Sequence, residues 1–304
     1  MTDSATLERD ADGPSGHPHG ELRPPRDTTG LAGVFRRRYL LRLLVRKELR
    51  VRYSASAFGV LWSYAKPATR FFVYFVVIGL YVGLSRNTPN FALHVFSGMI
   101  VVHAFTETLG AGTKSVIKNK TLVRKMNVPR EMFPVASLLV TMYHMIPQYV
   151  VMGIVLAFTG WRPDGMAVLA GLMSIVLVTA LSLAVGLAFS ALNVFFRDLG
   201  NFVETLSMLV TWSTPMIYSY DKVARVGADS WFNNVYLANP MAEAVLLSQR
   251  CFWIPSLDPS QFRSGFMPDH LFTRGFIMIG ISLVLVWLAQ RLFTRLEGNF
   301  AERL

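Results

Sequence analysis

Four arginines, Arg38, Arg42, Arg46 and Arg50, recur at every fourth residue. On a helix this spacing lines them up as one stripe. A guanidinium grips a phosphate through two parallel N–H donors, so the stripe suits anionic phosphate groups such as lipid headgroups. Residues 36–52 hold eight basic side chains and one acid, Glu48, a local charge of about +7. Like charges at this spacing oppose an isolated helix, so an anionic surface must offset them. Leu40, Leu44 and Val51 fall on the opposite side. A cationic face backed by an apolar one predicts a helix lying in the plane of a membrane among acidic headgroups.

Other residues capable of chemistry are scattered. Glu107 and Glu204 stand at the edges of apolar runs, where carboxylates are costly and often functional. They keep an ion-coupled flippase or secondary transporter in view. Asp229, Glu243 and Asp258 are the acids that a membrane glycosyltransferase or ligase would use. These acids form no paired or metal-spaced cluster, and His94, His103 and His144 lie apart, each expected to pack rather than react. No metal site is expected, and His17 and His19 read as part of a plain tail. The single cysteine, Cys251, leaves no internal disulfide and no Cys-based metal site. The chain has no GxxxxGK[ST]; GAGTKS at 110–115 places a threonine between Gly and Lys. No P-loop cradles ATP phosphates here. No catalytic residue and no cofactor is expected in this chain, and energy must come from another subunit.

The elements that must position these residues are apolar spans. Apolar residues make up 52% of the chain and charged ones 16%, with a net charge of +11. In a soluble protein that excess would favour nucleic acid; here the basic residues cluster beside apolar runs, which points to membrane topology and away from a nucleic-acid partner. The expected fold is all-α, a polytopic membrane protein with six transmembrane helices, an N-terminal amphipathic interface helix and short re-entrant outer helices. Residues 1–30, rich in Pro, Gly, Asp and His and without an apolar run, read as a disordered cytoplasmic tail rather than a signal peptide. Residues 31–304 form the membrane domain. Against the roughly 20 residues a span needs, six are read: 67–84, 91–111, 132–158, 166–193, 202–220 (broken near Pro215) and 271–290. With the N-terminus cytoplasmic, 22 basic residues fall inside and seven outside, so the positive-inside rule puts both termini in the cytoplasm.

Three segments between spans draw a functional reading. KSVIKNKTLVRKMNVPRE, 114–131, is basic and amphipathic and stops at Pro129; it reads either as an ordinary positive-inside loop or as a helix that docks on a cytoplasmic partner. NVFFRDLGNF, 193–202, sets Arg197 and Asp198 between apolar residues, as a docking elbow would. In the outer stretch 221–270, Asn239–Pro240 is a helix cap followed by a residue suited to the first turn. The apolar run 241–253 that follows is too short to span and reads as a re-entrant or interfacial helix. Trp231, Phe232, Tyr236, Phe252 and Trp253 suit a headgroup boundary.

These segments carry a resemblance. RKELRVRYSASAFGVLWSYAKP (46–67), FFRDLGNFVETLSMLVTWSTPMIY (195–218) and LANPMAEAV (237–245) resemble, in the same order, blocks of the ABC-2-type permeases that export polysaccharides and polyol phosphates such as O-antigen, teichoic acid and galactan. The resemblance covers roughly 34 to the C-terminus. It implies a homodimeric pore with two ATPase subunits, which would hold ATP and Mg, in a bacterial plasma (inner) membrane. The implied substrate is a polyprenyl-pyrophosphate-linked polysaccharide carried to the outer face. It implies that the two loops are coupling helices, with Lys118, Lys120, Arg124, Lys125 and Arg130 in one and Arg197 and Asp198 in the other. Arg38, Arg42, Arg46 and Arg50 would lie on an interface helix, open either to membrane lipids or to the carrier's pyrophosphate. Asn239 and Pro240 would start an outer gate helix. The resemblance puts the first and fifth spans at the pore. Their aromatics, Phe71, Phe72, Tyr74, Phe75 and Tyr81, then Trp212, Tyr218 and Tyr220, are the expected substrate contacts, because sugar rings stack on aromatic faces.

Overall fold

The computed structural model describes residues 30–53, 62–126, 128–227 and 231–303. The tail before residue 30, with His17 and His19, lies outside the described residues, as do part of the 46–67 block and Asp229. Among the described residues the regular structure is entirely helical. In chain order the helices are α1 (Leu31–Arg36), α2 (Arg38–Tyr53), α3 (Trp62–Val73), α4 (Phe91–Lys118), α5 (Lys120–Lys125), α6 (Met132–Phe158), α7 (Gly165–Phe195), α8 (Leu199–Ser213), α9 (Tyr220–Gly227), α10 (Trp231–Leu237), α11 (Pro240–Phe252), α12 (Leu271–Glu297) and α13 (Phe300–Arg303).

Four of these, α4, α6, α7 and α12, are long and apolar enough to cross a membrane, at the positions of the second, third, fourth and sixth expected spans. Several ends differ from expectation. α4 runs on to Lys118, so the first residues of the basic loop are helix. α12 extends to Glu297. The first expected span is α3 continued by π-helical turns over Tyr74–Tyr81; π turns are rare and often sit at functional positions. The turns bring Gly79 against Phe91, where an added Cβ would come 2.6 Å from the ring. The fifth is α8 of 15 residues, then a non-helical break, then α9.

α4 and α7 form the centre. At their crossing a Cβ on Gly112 would stand 3.2 Å from the Gly186 backbone, the close approach that small residues permit between membrane helices. α12 packs along α7, and its Ile277, Ile281, Val284, Trp287 and Leu288 face outward. Apolar side chains exposed along a whole helix face are costly in water and suited to lipid. α11 is enclosed: all residues from Met241 to Gln249 are buried, with α7, α4 and α12 around them. Asn239 caps it, its Oδ1 accepting from Met241 N at 3.0 Å, with Pro240 in the first turn.

On α2, Leu41 and Leu44 are buried in a cluster with Met132 and Phe133 of α6, while Val51 is exposed. One expectation about a side chain is corrected. Trp253 is no boundary aromatic: it is fully buried, donates to Pro89 O at 2.8 Å and stacks on His94 at 4.6 Å.

Candidate functional site: a charged cavity between two helix ends

α4 and α8 turn polar side chains toward each other. On α4 these are His103, Thr106, Glu107 and Lys114; on α8 they are Glu204, Ser207 and Thr211. Both sets follow helical spacing, so each forms one stripe. With Arg70 and Tyr74 from the first helical segment and Trp212 from α8, they line a cavity of about 450 Å³. The Thr106, Ser207 and Thr211 hydroxyls donate to carbonyls one turn back, which is how a helix inside a membrane satisfies a hydroxyl and still presents its oxygen.

A second cavity of about 320 Å³ adjoins it, lined by Glu48, Val51, Arg52 and Lys118. Glu107 and Lys114 line both, so the two lie side by side from the end of α2 to the face of α8, a passage divided by these side chains. Each acid along the passage has a cation: Arg52 donates to Glu107 at 2.5 Å, Lys118 to Glu48 at 2.5 Å and Lys114 to Glu204 at 3.5 Å. Glu107 and Glu204, read from the sequence as isolated acids, are thus counter-ions. Arg70 has no carboxylate within ion-pair distance among the described residues. The passage can hold a polar ligand through hydroxyls, paired charges and two aromatic faces.

Among the expected aromatics the structure brings only Tyr74 and Trp212 to this cavity. Phe71 packs on Phe96 and Phe75, Phe72 and Tyr81 point outward, and Tyr220 is buried with its hydroxyl on Asn233. Tyr218 donates to Trp212 O at 3.2 Å and accepts from Tyr236 at 3.3 Å.

The basic residues gather at one end of the bundle. Arg38, Arg42, Arg46 and Arg50 are exposed along α2. Lys47 donates to Asn119 Oδ1 at 2.8 Å and, with the Lys118–Glu48 pair, ties α2 to the end of α4. Lys120, Arg124 and Lys125 are exposed on and beside α5, and Arg197 and Asp198 at the α7–α8 elbow. Arg130 differs: its guanidinium donates to the Glu297 carbonyl and lies over the Phe300 ring at 5.7 Å. Phe300 also meets Phe293 and Phe195, so both elbows converge on the C-terminal helix. Beside them Glu131 is buried, accepting from Gly30 N and from Gln290 Nε2.

The opposite end is built around α11. Asn239 Nδ2 donates to Ser213 Oγ at 3.2 Å, and Gln249 Nε2 donates to Pro215 O at 2.7 Å; both hold the break after α8. Gln249 also reaches His94 Nδ1 at 3.0 Å. With one amide hydrogen on Pro215 O, the other is available for Nδ1 to accept. Arg250 pairs with Asp164 at 2.8 Å, and this bond holds the Asp164 carboxyl below its usual range. Sequence reasoning missed His94 and Gln249 as partners and missed the polar stripes of α4 and α8. The stripes had a signal, since 204, 207 and 211 share one helix face.

Comparison with known proteins agrees with this architecture. The family model of the ABC-2 type transporter matches residues 39–252. The chain is 29% identical over 264 residues to an O-antigen export system permease protein, RfbA, of Klebsiella pneumoniae, covering 86% of this chain and 94% of that one. It is 26% identical over 275 residues to the protein of the same name in Myxococcus xanthus, covering 88% and 96%. This helical chain, with four membrane-length helices among its described residues and matched by that family model from the start of α2 to the end of α11, belongs to the ABC-2 type transporter family.

Proposed function

We propose that this chain is the permease subunit of an ABC exporter that moves a lipid-linked polysaccharide, of the O-antigen or galactan kind, from the cytoplasmic to the outer face of a bacterial plasma membrane. ATP hydrolysis, with its Mg, takes place in two separate ATPase subunits. The observation that carries the reading is the charged, hydroxyl-lined cavity between α4 and α8 in a bundle whose outer residues are apolar. The names of the relatives point to the same cargo.

The passage opens beside α8. There Glu204 is 73% and Lys114 58% exposed, flanked by exposed Phe202, Met208, Leu209 and Trp212. Charged groups at this position do not face hydrocarbon. A second copy packed on α8 would turn two half-passages into a pore, with Tyr74 and Trp212 as faces for passing sugar rings. Six crossings per copy are consistent with the lengths: α3 and its π turns total 20 residues, near the roughly 20 required, and α8 is extended by the break. The backbone of that break is held by Gln249, which suits non-helical chain buried in protein at membrane depth.

The exposed cations of α5 and the Arg197–Asp198 elbow would dock on the ATPases, and α2 would lie at the cytoplasmic surface with its arginines toward lipid headgroups or the carrier's pyrophosphate. Both termini would be cytoplasmic. α11 would be the re-entrant outer gate. Glu107 and Glu204, each held by a cation, lend little to ion coupling.

The test is purification with the cognate ATPase and reconstitution with lipid-linked polysaccharide. Export should require ATP and the ATPase subunit. Export driven by a proton gradient without ATP, or product formation without transport, would replace this reading with a flippase or a ligase.

A further inference from the structure

Glu243 has no exposed surface, and neither of its carboxyl oxygens has a hydrogen-bond partner. It sits in the first turn of α11, the most enclosed short helix of the bundle. A buried carboxylate without hydrogen bonds is strongly disfavoured, and such a group takes up a proton instead. We propose that Glu243 is a proton-binding site that holds α11 in its enclosed position, and that ionisation of the carboxyl releases the helix.

The groups that could face it come from the elements packed on α11. α10 carries Tyr236, whose hydroxyl donates to Tyr218, and the turn at 254–256 has no titratable side chain. α7 contributes no titratable residue between Gly165 and Phe195. α4 contributes His94, whose Nδ1 is taken by Gln249. α12 contributes Arg274, which favours the ionised form but makes no ion pair with it. Tyr220, at the start of α9, shares the field of Glu243, Arg274 and Asp269, and its hydroxyl is held by Asn233. The helix N-terminus also favours a negative charge. None of these supplies a hydrogen bond, and burial outweighs them, pushing the Glu243 carboxyl up to about 8.

Movement of α11 must break a defined set of side-chain ties. These are Asn239 to Ser213, Gln249 to Pro215 and His94, Ser248 Oγ to Ser97 O, Ser174 Oγ to Ala244 O, Trp161 Nε1 to Cys251 O, and the Arg250–Asp164 pair. Once the Glu243 carboxyl reaches water it returns toward its ordinary value near 4.5. The enclosed form then holds a proton that the released form gives up. Between these two values each pH unit favours release by about tenfold. Alkaline conditions therefore loosen α11, and acid conditions close it.

Cys251 reports the movement, since it is buried on the same helix. The purified chain in nanodiscs is treated with a water-soluble maleimide at about pH 6 and about pH 7.5, beside Glu243→Gln. The Gln variant shares the thiol chemistry and lacks the proton. The wild-type rate should rise about thirty-fold more than that of the variant across this window. Infrared spectra near pH 7 should show a protonated-carboxyl band that Glu243→Gln lacks. Glu243→Met, apolar and of similar length, should behave as Gln does and serves if Gln perturbs the fold. Absence of the carboxyl band, or parallel labelling profiles in wild type and both variants, would overturn the proposal. Neither arm uses ATP, an ATPase or a polysaccharide, so its failure is separable from failure of the exporter reading.

Discussion

At the scale of residues, the outer end depends on a few side chains with two duties. Asp164 caps α7 through Ala167 N at 2.8 Å and pairs with Arg250. Asp164→Ala should lower stability by about 1 kcal/mol, the usual loss for an N-cap, read as a lower unfolding temperature in detergent. The sign with pH is fixed by the depressed carboxyl value. The contribution is present above the ordinary Asp range and is lost as pH falls through the lower folded value, so wild type and variant should converge in acid. Trp253 carries more. It is fully buried, stacked on His94 and bonded to Pro89 O, and Trp253→Ala should cost about 3–5 kcal/mol. A change under 1 kcal/mol would show that this core can collapse around the loss.

At the scale of elements, the basic end separates two kinds of cation. Arg124 and Lys125 are exposed on α5, whereas Arg130 is bound to the last turn of α12 and to Phe300. Arg124→Glu with Lys125→Glu should leave the chain folded and weaken recovery of the ATPase on affinity purification by about tenfold, because rim charges steer and orient partners. Arg130→Glu should instead lower the unfolding temperature of the chain alone. Equal behaviour of the two variants would mean that the cations act only as a topology signal. The α4–α7 crossing makes a further prediction. Gly112→Val places branched carbon against the Gly186 backbone, and overpacking of this kind costs about 1–3 kcal/mol. Gly280→Val, where a Cβ meets nothing within 4 Å, should be nearly neutral in the same assay.

At the scale of the whole molecule, the exposed apolar side of α8 and the half-open passage belong to one surface. If a second copy covers it, a cysteine at Met208 in a Cys251→Ser background should form a disulfide-linked dimer under mild oxidation in membranes. A cysteine at Ile281, on the outward face of α12, should not. Cross-linking at Ile281 alone would move the copy-to-copy interface to α12.

Much of this molecule was legible in its residues. Apolar runs long enough to cross a bilayer declare themselves by length, because no water inside the membrane can satisfy a broken backbone, and four of the six fell where helices of that length stand. The cap at Asn239, the proline after it and the short helix they start follow from local rules that need no partner. The break near Pro215 is of the same kind. What folding alone decided is pairing across the bundle. Glu107 and Glu204 are isolated in sequence, and only the packing of α2 and α8 beside α4 gives them Arg52 and Lys114. Arg130 lies 167 positions from the carbonyl it binds. Trp253 has the composition of a boundary residue and the location of a core residue. The physical reason is common to all of them. Periodicity states which face of a helix is apolar or charged, but the free energy of a charge or a ring depends on what the neighbouring helix presents to it, and that is set only when the helices meet.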